Sequence, residues 1–357
     1  KVIDNFEKTG HVCGDHIDIV NGLPTGAIRI SFGKESIWED LDTVVNFLEA
    51  TFVNHCDVTD YGTRVPENHE IQVNISEIYV FPIKSCAAQR VSKWQIEMSS
   101  GKLRYDREFA LVDTSGTALR LQTCPKLGLI SPVVDPVAIT MTVSAPGCSD
   151  LVVNLSDDLY HGGDNVVRVC GDKCGGRVWG DAEVSEWFSS FLGMQCWLAR
   201  YSTDGNFNTN QEPTRVGFSN EQPLLLVSEN AVNKLNGVLE EQGQRPVDSK
   251  RFRPNLVVKC IGSNEHTNMS LHIEDEWKSL ALAGTDFRFK VEGACPRCSM
   301  VDFDPVTGQK GRTLRALAKY RRKHSSINFG IFLRAMRSTN VPQGDVWIAE
   351  GDVLDCS

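Results

Sequence analysis

Short β segments, each cut off by a turn-forming cluster, dominate the middle of the chain and leave few folds open. They are expected over 73–83, 91–98, 104–112, 137–143, 151–155 and 166–170, with Gly, Pro, Ser or Asp between one segment and the next. Strands at this spacing close into a barrel or stack into a sandwich. A helix is expected at 182–192, where Val184, Trp187, Phe188 and Phe191 share one face, and a strand at 196–201. Beyond it the pattern gives a strand at 223–227, a helix at 228–241, strands at 255–260 and 286–291, a helix near 312–322 and strands at 328–333 and 345–349. The expected fold class is mixed α/β and β-rich.

At 357 residues the chain exceeds one ordinary core, so two or three domains are expected. Residues 54–72 are polar, carry Gly62 and Pro66, and read as a linker. Before them come a short strand, Ala27 to Phe32, and a helix built on Ile37, Leu41, Val44, Val45, Leu48 and Phe52, with Ser36 and Glu39 placed to cap it. One strand and one helix cannot make a core, and the chain opens on Lys1 rather than Met, so an upstream region is expected. A net charge of −9 argues against a nucleic-acid partner, and no apolar run approaches the roughly 20 residues that span a bilayer. The twelve cysteines lack regular spacing, and the first residues lack the apolar core of a signal peptide. Reduced thiols and a cytoplasmic location are therefore expected.

Chemistry concentrates in four segments. The stretch 293–310 reads GACPRCSMVDFDPVTGQK and sets Cys295 and Cys298 around Arg297, a cation that favours the ionised sulfur. FPIKS at 81–85, YDREFALVD at 105–113 and KRFRPN at 250–255 supply Lys84, Arg107, Arg251 and Arg253. Cations brought together from distant segments suit an anionic small molecule, such as a phosphorylated one, and Asn255 offers both donor and acceptor groups to a heterocycle. Plainer readings stand beside this one. Each cation could belong to an ordinary salt bridge, and Cys170 with Cys174 could complete a four-thiolate zinc site. The basic run Arg312, Arg315, Lys319, Arg321, Arg322 and Lys323 reads as a solvated helix face.

These four segments, in this order, resemble the MOSC family with its N-terminal β-barrel partner domain, over about residues 73–357. The resemblance implies an MOSC N-terminal β-barrel domain at 73–205, an MOSC β-barrel-like domain at 206–357, and binding of the molybdenum cofactor, a pterin dithiolene with a terminal phosphate. By the same resemblance Cys298 is the catalytic thiol and the ligand to molybdenum, with Cys295 the alternative, and Arg297 and Ser299 stand close by. Lys84, Ser85 and Arg107 would hold pterin and phosphate from one side; Ser228, Arg253 and Asn255 would approach from the other. Related molybdenum reductases carry a Tyr where this chain has Phe332.

The N-terminal GHVCGD at 10–15 and PTGAIRISFG at 24–33 resemble the end of the cysteine desulfurase domain of molybdenum cofactor sulfurases, which has the class V aminotransferase fold. Residues 1–53 are then the last strand and helix of a fold that depends on pyridoxal phosphate, with Arg29 gripping the carboxylate of L-cysteine; an ordinary surface pair is the other reading of Arg29. The lysine that would bind pyridoxal phosphate and the persulfide cysteine would lie outside this sequence, and Cys13 is not assigned that role. The implied activity is sulfur transfer from L-cysteine to the molybdenum cofactor, for use by xanthine dehydrogenase and aldehyde oxidase, by a homodimer when full-length. This fragment alone is expected to lack desulfurase activity. A molybdenum reductase of N-hydroxylated compounds and a cofactor carrier without catalysis are the alternatives.

Overall fold

The computed structural model describes residues 19–20, 23–24, 71–156, 165–169, 171–202, 217–219, 222–261, 272–305, 307–323, 325–336 and 346–357. The chain divides into two compact units, Lys1–Glu67 and Asn68–Ser357. In the first, Ile19–Val20 pairs antiparallel with Leu23–Pro24. Arg29, Cys13 and the strand and helix expected at 27–52 lie outside the described residues.

Seven strands of the second unit close on themselves. They are β1 (Ile71–Val80), β2 (Leu224–Ser228), β3 (Leu256–Cys260), β4 (Ser279–Leu282), β5 (Arg288–Pro296), β6 (Ser326–Met336) and β7 (Val353–Cys356). The ring runs β1, β7, β4, β5, β6, β2, β3 and back to β1. Only the β2–β3 neighbours are parallel, joined through helix α2 (Glu229–Glu241); every other pair is antiparallel. Closure removes the open sheet edge. It also makes β1, in the first of the two expected MOSC segments, a stave among strands of the second.

The apolar periodicity fills this barrel. Val73 and Ile75 point into the core from β1, then the buried set shifts to Ile78 and Val80. A β-bulge explains the shift: Val258 faces Ile75 and Val257 faces Glu77, leaving Ser76 as the extra residue. Leu226, Leu256, Val258, Leu280, Phe289, Ile331, Leu333 and Leu354 complete the interior. Each fully buried side chain of this kind contributes roughly 1.5–3 kcal/mol.

A smaller antiparallel sheet orders Asn165–Val169, Asp172–Val178, Trp197–Tyr201 and Phe109–Val112, and a third joins Ser131–Asp135, Thr140–Ser144 and Leu151–Asn154. Helix α1 (Ala182–Leu192) begins on the cap of Asp181, whose carboxylate accepts from the Glu183 amide, and ends at Gly193 with φ 73°. Helix α3 is Thr313–Arg321.

The β-rich class expected from the sequence is present, with several local differences. Strands Ser131–Asp135 and Asp172–Val178 escaped the pattern because Pro132 and the pair Gly175 and Gly176 read as turn residues. Pro132 is tolerated because its strand lies at a sheet edge. At Gly176 a Cβ would stand 2.6 Å from Val167 Cγ2, so the close approach of the neighbouring strand requires glycine. The expected strand at 104–112 begins only at Phe109; residues 104–108 form a turn with Tyr105 at φ 64° and Arg107 at φ 47°.

Candidate functional site

Two of the four chemical segments are strapped to each other just beyond β1. The Arg107 amide donates to Phe81 O at 2.7 Å, the Phe81 amide to Asp106 Oδ1 at 2.9 Å, the Phe109 amide to Pro82 O at 3.0 Å and the Lys84 amide to Phe109 O at 2.7 Å. The third segment enters β3 from a single turn, Ser249–Phe252, that stops at Arg253 with φ 57°. The fourth arrives on β5, whose two bulges against β6 fall at Val291/Gly293 and Ala294/Pro296, the second at Cys295 itself.

Backbone conformation marks the same place. Among the described residues, five non-glycine positions have positive φ: Ser85, Tyr105, Arg107, Ile139 and Arg253. Three of them, Ser85, Arg107 and Arg253, line one cavity of about 460 Å³. Such conformations cost of order 1 kcal/mol or more each and persist where surrounding bonds fix them, most often at ligand sites.

The wall of the cavity is cationic in an acidic protein. Among the described residues Lys84, Arg107, Arg120, Arg253 and Arg297 contribute to it and no carboxylate does. Asp106, behind the wall and 1% exposed, pairs with Arg107 Nη1. Arg253 Nη1 donates to Cys86 O at 2.6 Å, while its Nη2 is buried without an acceptor. Burial, and next the charge of Arg107, push the Arg253 guanidinium down to about 9. The Lys84 ammonium donates to Phe218 O at 2.9 Å, and Arg297 donates to the carbonyls of Phe329 and Phe252.

Asn255 lines the cavity, but its amide oxygen is spent on the protein. Its Oδ1 accepts from Arg107 Nη1 at 3.0 Å and the Leu225 amide at 3.1 Å, and its Nδ2 donates to Tyr79 O at 3.2 Å. It positions Arg107 rather than offering both groups to a heterocycle. Of the two thiols in the wall, Cys298 is exposed and Cys295 is buried. Gln122 Nε2 donates to Cys298 Sγ at 3.6 Å.

Three expected residues stand elsewhere. Ser228 caps α2, accepting from the Ala231 amide at 3.1 Å and donating to Glu274 Oε2 at 3.0 Å, so a helix terminus consumes it. Ser299 opens the turn Ser299–Asp302 and is not part of the wall. Arg251 is tied to Asp304 at 2.8 Å, because consecutive residues of the tight turn diverge, sending Arg251 away from the cavity and Phe252 to it. Sequence reasoning missed Arg120, Gln122, Ser219 and Gln222, which sit on connections with no motif of their own. Cys174, half of the expected second zinc pair, is buried on its strand with Sγ donating to Val167 O at 3.3 Å; Cys170 lies outside the described residues. Among the described residues no three His, Cys, Asp or Glu side chains are grouped to hold a metal ion.

A buried unmatched N–H, five cations and two thiols on one wall fit an anionic ligand that also presents a thiophilic centre. Residues 72–195 match the family described as MOSC N-terminal beta barrel domain, and residues 213–348 match the MOSC domain. The chain is 32% identical over 386 residues to a molybdenum cofactor sulfurase of Oryza sativa subsp. japonica, covering 98% of this chain and 45% of the relative. It is 32% identical over 382 residues to the protein of that name in Solanum lycopersicum, covering 99% and 45%, and 30% identical over 392 residues to that of Emericella nidulans, covering 90% and 46%. The chain thus spans less than half the length of these relatives. On these matches the chain carries an MOSC N-terminal beta barrel domain and an MOSC domain, and it resembles the molybdenum cofactor sulfurases over nearly its whole length.

Proposed function

We propose that the unit Asn68–Ser357 binds the molybdenum cofactor in the cationic cavity and presents it as the substrate of sulfur transfer. The observation that carries this reading is the wall itself, which among the described residues brings five cations and two thiols together, on an MOSC barrel whose relatives are named molybdenum cofactor sulfurases. Arg253 and Arg107 receive the phosphate, because Arg253 Nη2 is the buried donor that lacks an acceptor and Asn255 fixes Arg107 beside it. Lys84 and Ser85 close the site from the first MOSC segment. Cys298 is the thiol facing the metal: it is exposed in the cavity, whereas Cys295 is buried at the end of its strand. Gln122 orients the Cys298 sulfur, and Phe332 supplies an apolar face.

Sulfur comes, on this reading, from L-cysteine through a pyridoxal phosphate domain of the longer protein, with alanine as the other product. The sulfurated cofactor goes to xanthine dehydrogenase and aldehyde oxidase. The chain alone does not desulfurate cysteine.

A reconstituted transfer assay tests the proposal. The chain, supplied with molybdenum cofactor, a persulfide donor and a two-electron reductant, should restore activity to a sulfur-free xanthine dehydrogenase, and Cys298→Ala should not. Alanine released from L-cysteine and pyridoxal phosphate by the chain alone, or amidoxime reduction without any sulfur transfer, would contradict it.

A further inference from the structure

The two turns that wall the cofactor cavity also wall a second one. Phe252 and Arg253 face the first cavity while Arg251 lines the second; Met300 and Val301 face the first while Asp304 lines the second. The second cavity, about 550 Å³, lies between the C-terminal end of α2 and the start of α3.

Its wall has an unmatched supply of donors. Among the described residues Arg245, Arg251, Lys310 and Arg312 bring four positive charges and Asp304 brings one negative charge. The Arg251 side chain is 9% exposed; its Nη2 pairs with Asp304 at 2.8 Å, its Nη1 reaches Asp302 O at 3.4 Å, and its Nε is buried with no acceptor. Gln242 Nε2, on the same wall, is also buried with no acceptor. Arg253 Nη2 leaves the same mark in the cofactor cavity. Buried N–H groups without partners destabilise the fold, a cost that an acceptor-rich ligand removes. The start of α3 is not a free anion site, because the Leu314 amide donates to Asp302 Oδ1 at 2.8 Å; Thr313 and Arg312 lie in the wall.

We propose that this cavity is a second anion site, separate from the cofactor cavity, that takes a phosphate group as inorganic phosphate or a small phosphomonoester. A carboxylate would bring one charge, whereas the wall keeps three cations beyond the Arg251–Asp304 pair and presents donors from both sides, which suits a dianion with several acceptor oxygens. The site does not depend on the molybdenum cofactor reading.

Calorimetric titration with inorganic phosphate at constant ionic strength tests it. Wild type should bind, Arg245→Ala/Arg312→Ala should bind at least about tenfold more weakly, the scale of one lost charge-assisted contact, and Arg253→Gln should retain this binding. Both arginines of the double variant are exposed, so its fold is not at stake, whereas Arg251→Gln first needs a thermal denaturation check. Glycerol 3-phosphate as a second titrant separates the two sources, tighter binding than phosphate marking a phosphorylated metabolite. No phosphate binding by wild type, loss only in Arg253→Gln, or an equal response to chloride would overturn the proposal.

Discussion

Arg107 donates through Nη2 to the backbone carbonyl of Arg253 at 2.9 Å, and both guanidiniums lie over the ring of Phe81, at 4.4 and 4.2 Å from its centre. Two like charges are thus held together by a carbonyl and the negative face of one aromatic ring. Asp106 compensates Arg107; among the described residues Arg253 has no carboxylate partner in the wall. The arrangement keeps positive charge in reserve for a ligand.

Removing the ring should undo it. Phe81→Ala deletes a side chain that is 1% exposed and leaves the two cations facing each other, so a loss of about 3–5 kcal/mol is expected in urea denaturation. Phe81→Leu should recover part of that stability but not anion affinity, since it restores volume without the π face.

The Arg253 charge gives a pH signature. Its guanidinium is pushed down from its ordinary value to about 9, first by burial and next by Arg107. Between these values the unfolded chain holds a proton that the folded chain releases, so this group makes stability rise with pH across that window; below it both states are charged and the full burial cost opposes folding. Wild type minus Arg253→Gln, followed by denaturation at pH 8 and pH 10, should show that slope. A bound phosphate-bearing ligand should flatten it by favouring the charged form.

Gly330 should tolerate no side chain. It sits inside β6 at φ 76°, and a Cβ there would stand 2.5 Å from Leu226 O and 2.9 Å from Val227 Cγ2, at the seam with β2. Gly330→Ala is expected to destabilise by about 2–4 kcal/mol and to lower the denaturation midpoint, because strain and backbone collision add. The same glycine lies near Arg297 Nη2, so anion affinity should fall with stability.

Thiol labelling should separate the two cysteines. Cys298 is exposed and Cys295 is buried, so iodoacetamide with peptide mass mapping should modify Cys298 first. Equal rates at both sulfurs would contradict the assignment of Cys298 as the accessible thiol.

Much of this architecture can be read from the chain. Barrel strands with clean alternation declare themselves, and Lys84, Arg107, Arg253 and Arg297 stand out because cations in apolar surroundings need a reason. Other features depend on tertiary context. The bulge at Ser76 is invisible without β3, and Gly330 within a long strand reads as a break until the neighbouring β2 carbonyl explains it. Arg251 and Arg253 look equivalent in KRFRPN; only the tight turn between Asp248 and Arg253 separates their directions. Ser228 could have been found, since a serine directly before a helix beginning with Glu229 is a capping signal. Arg120 and Gln122 carry no comparable signal, because they reach the cavity only through the path of their loop.

The central claim is that the cationic cavity holds the molybdenum cofactor. Molybdenum and zinc analysis of the purified chain, with pterin fluorescence after oxidation, on wild type, Cys298→Ala and Arg253→Gln tests it most directly. Molybdenum and pterin in near-equal amounts in wild type, both reduced in Arg253→Gln and the metal weakened in Cys298→Ala, is the expected result. Zinc without pterin, or cofactor content that neither substitution changes, would contradict the account.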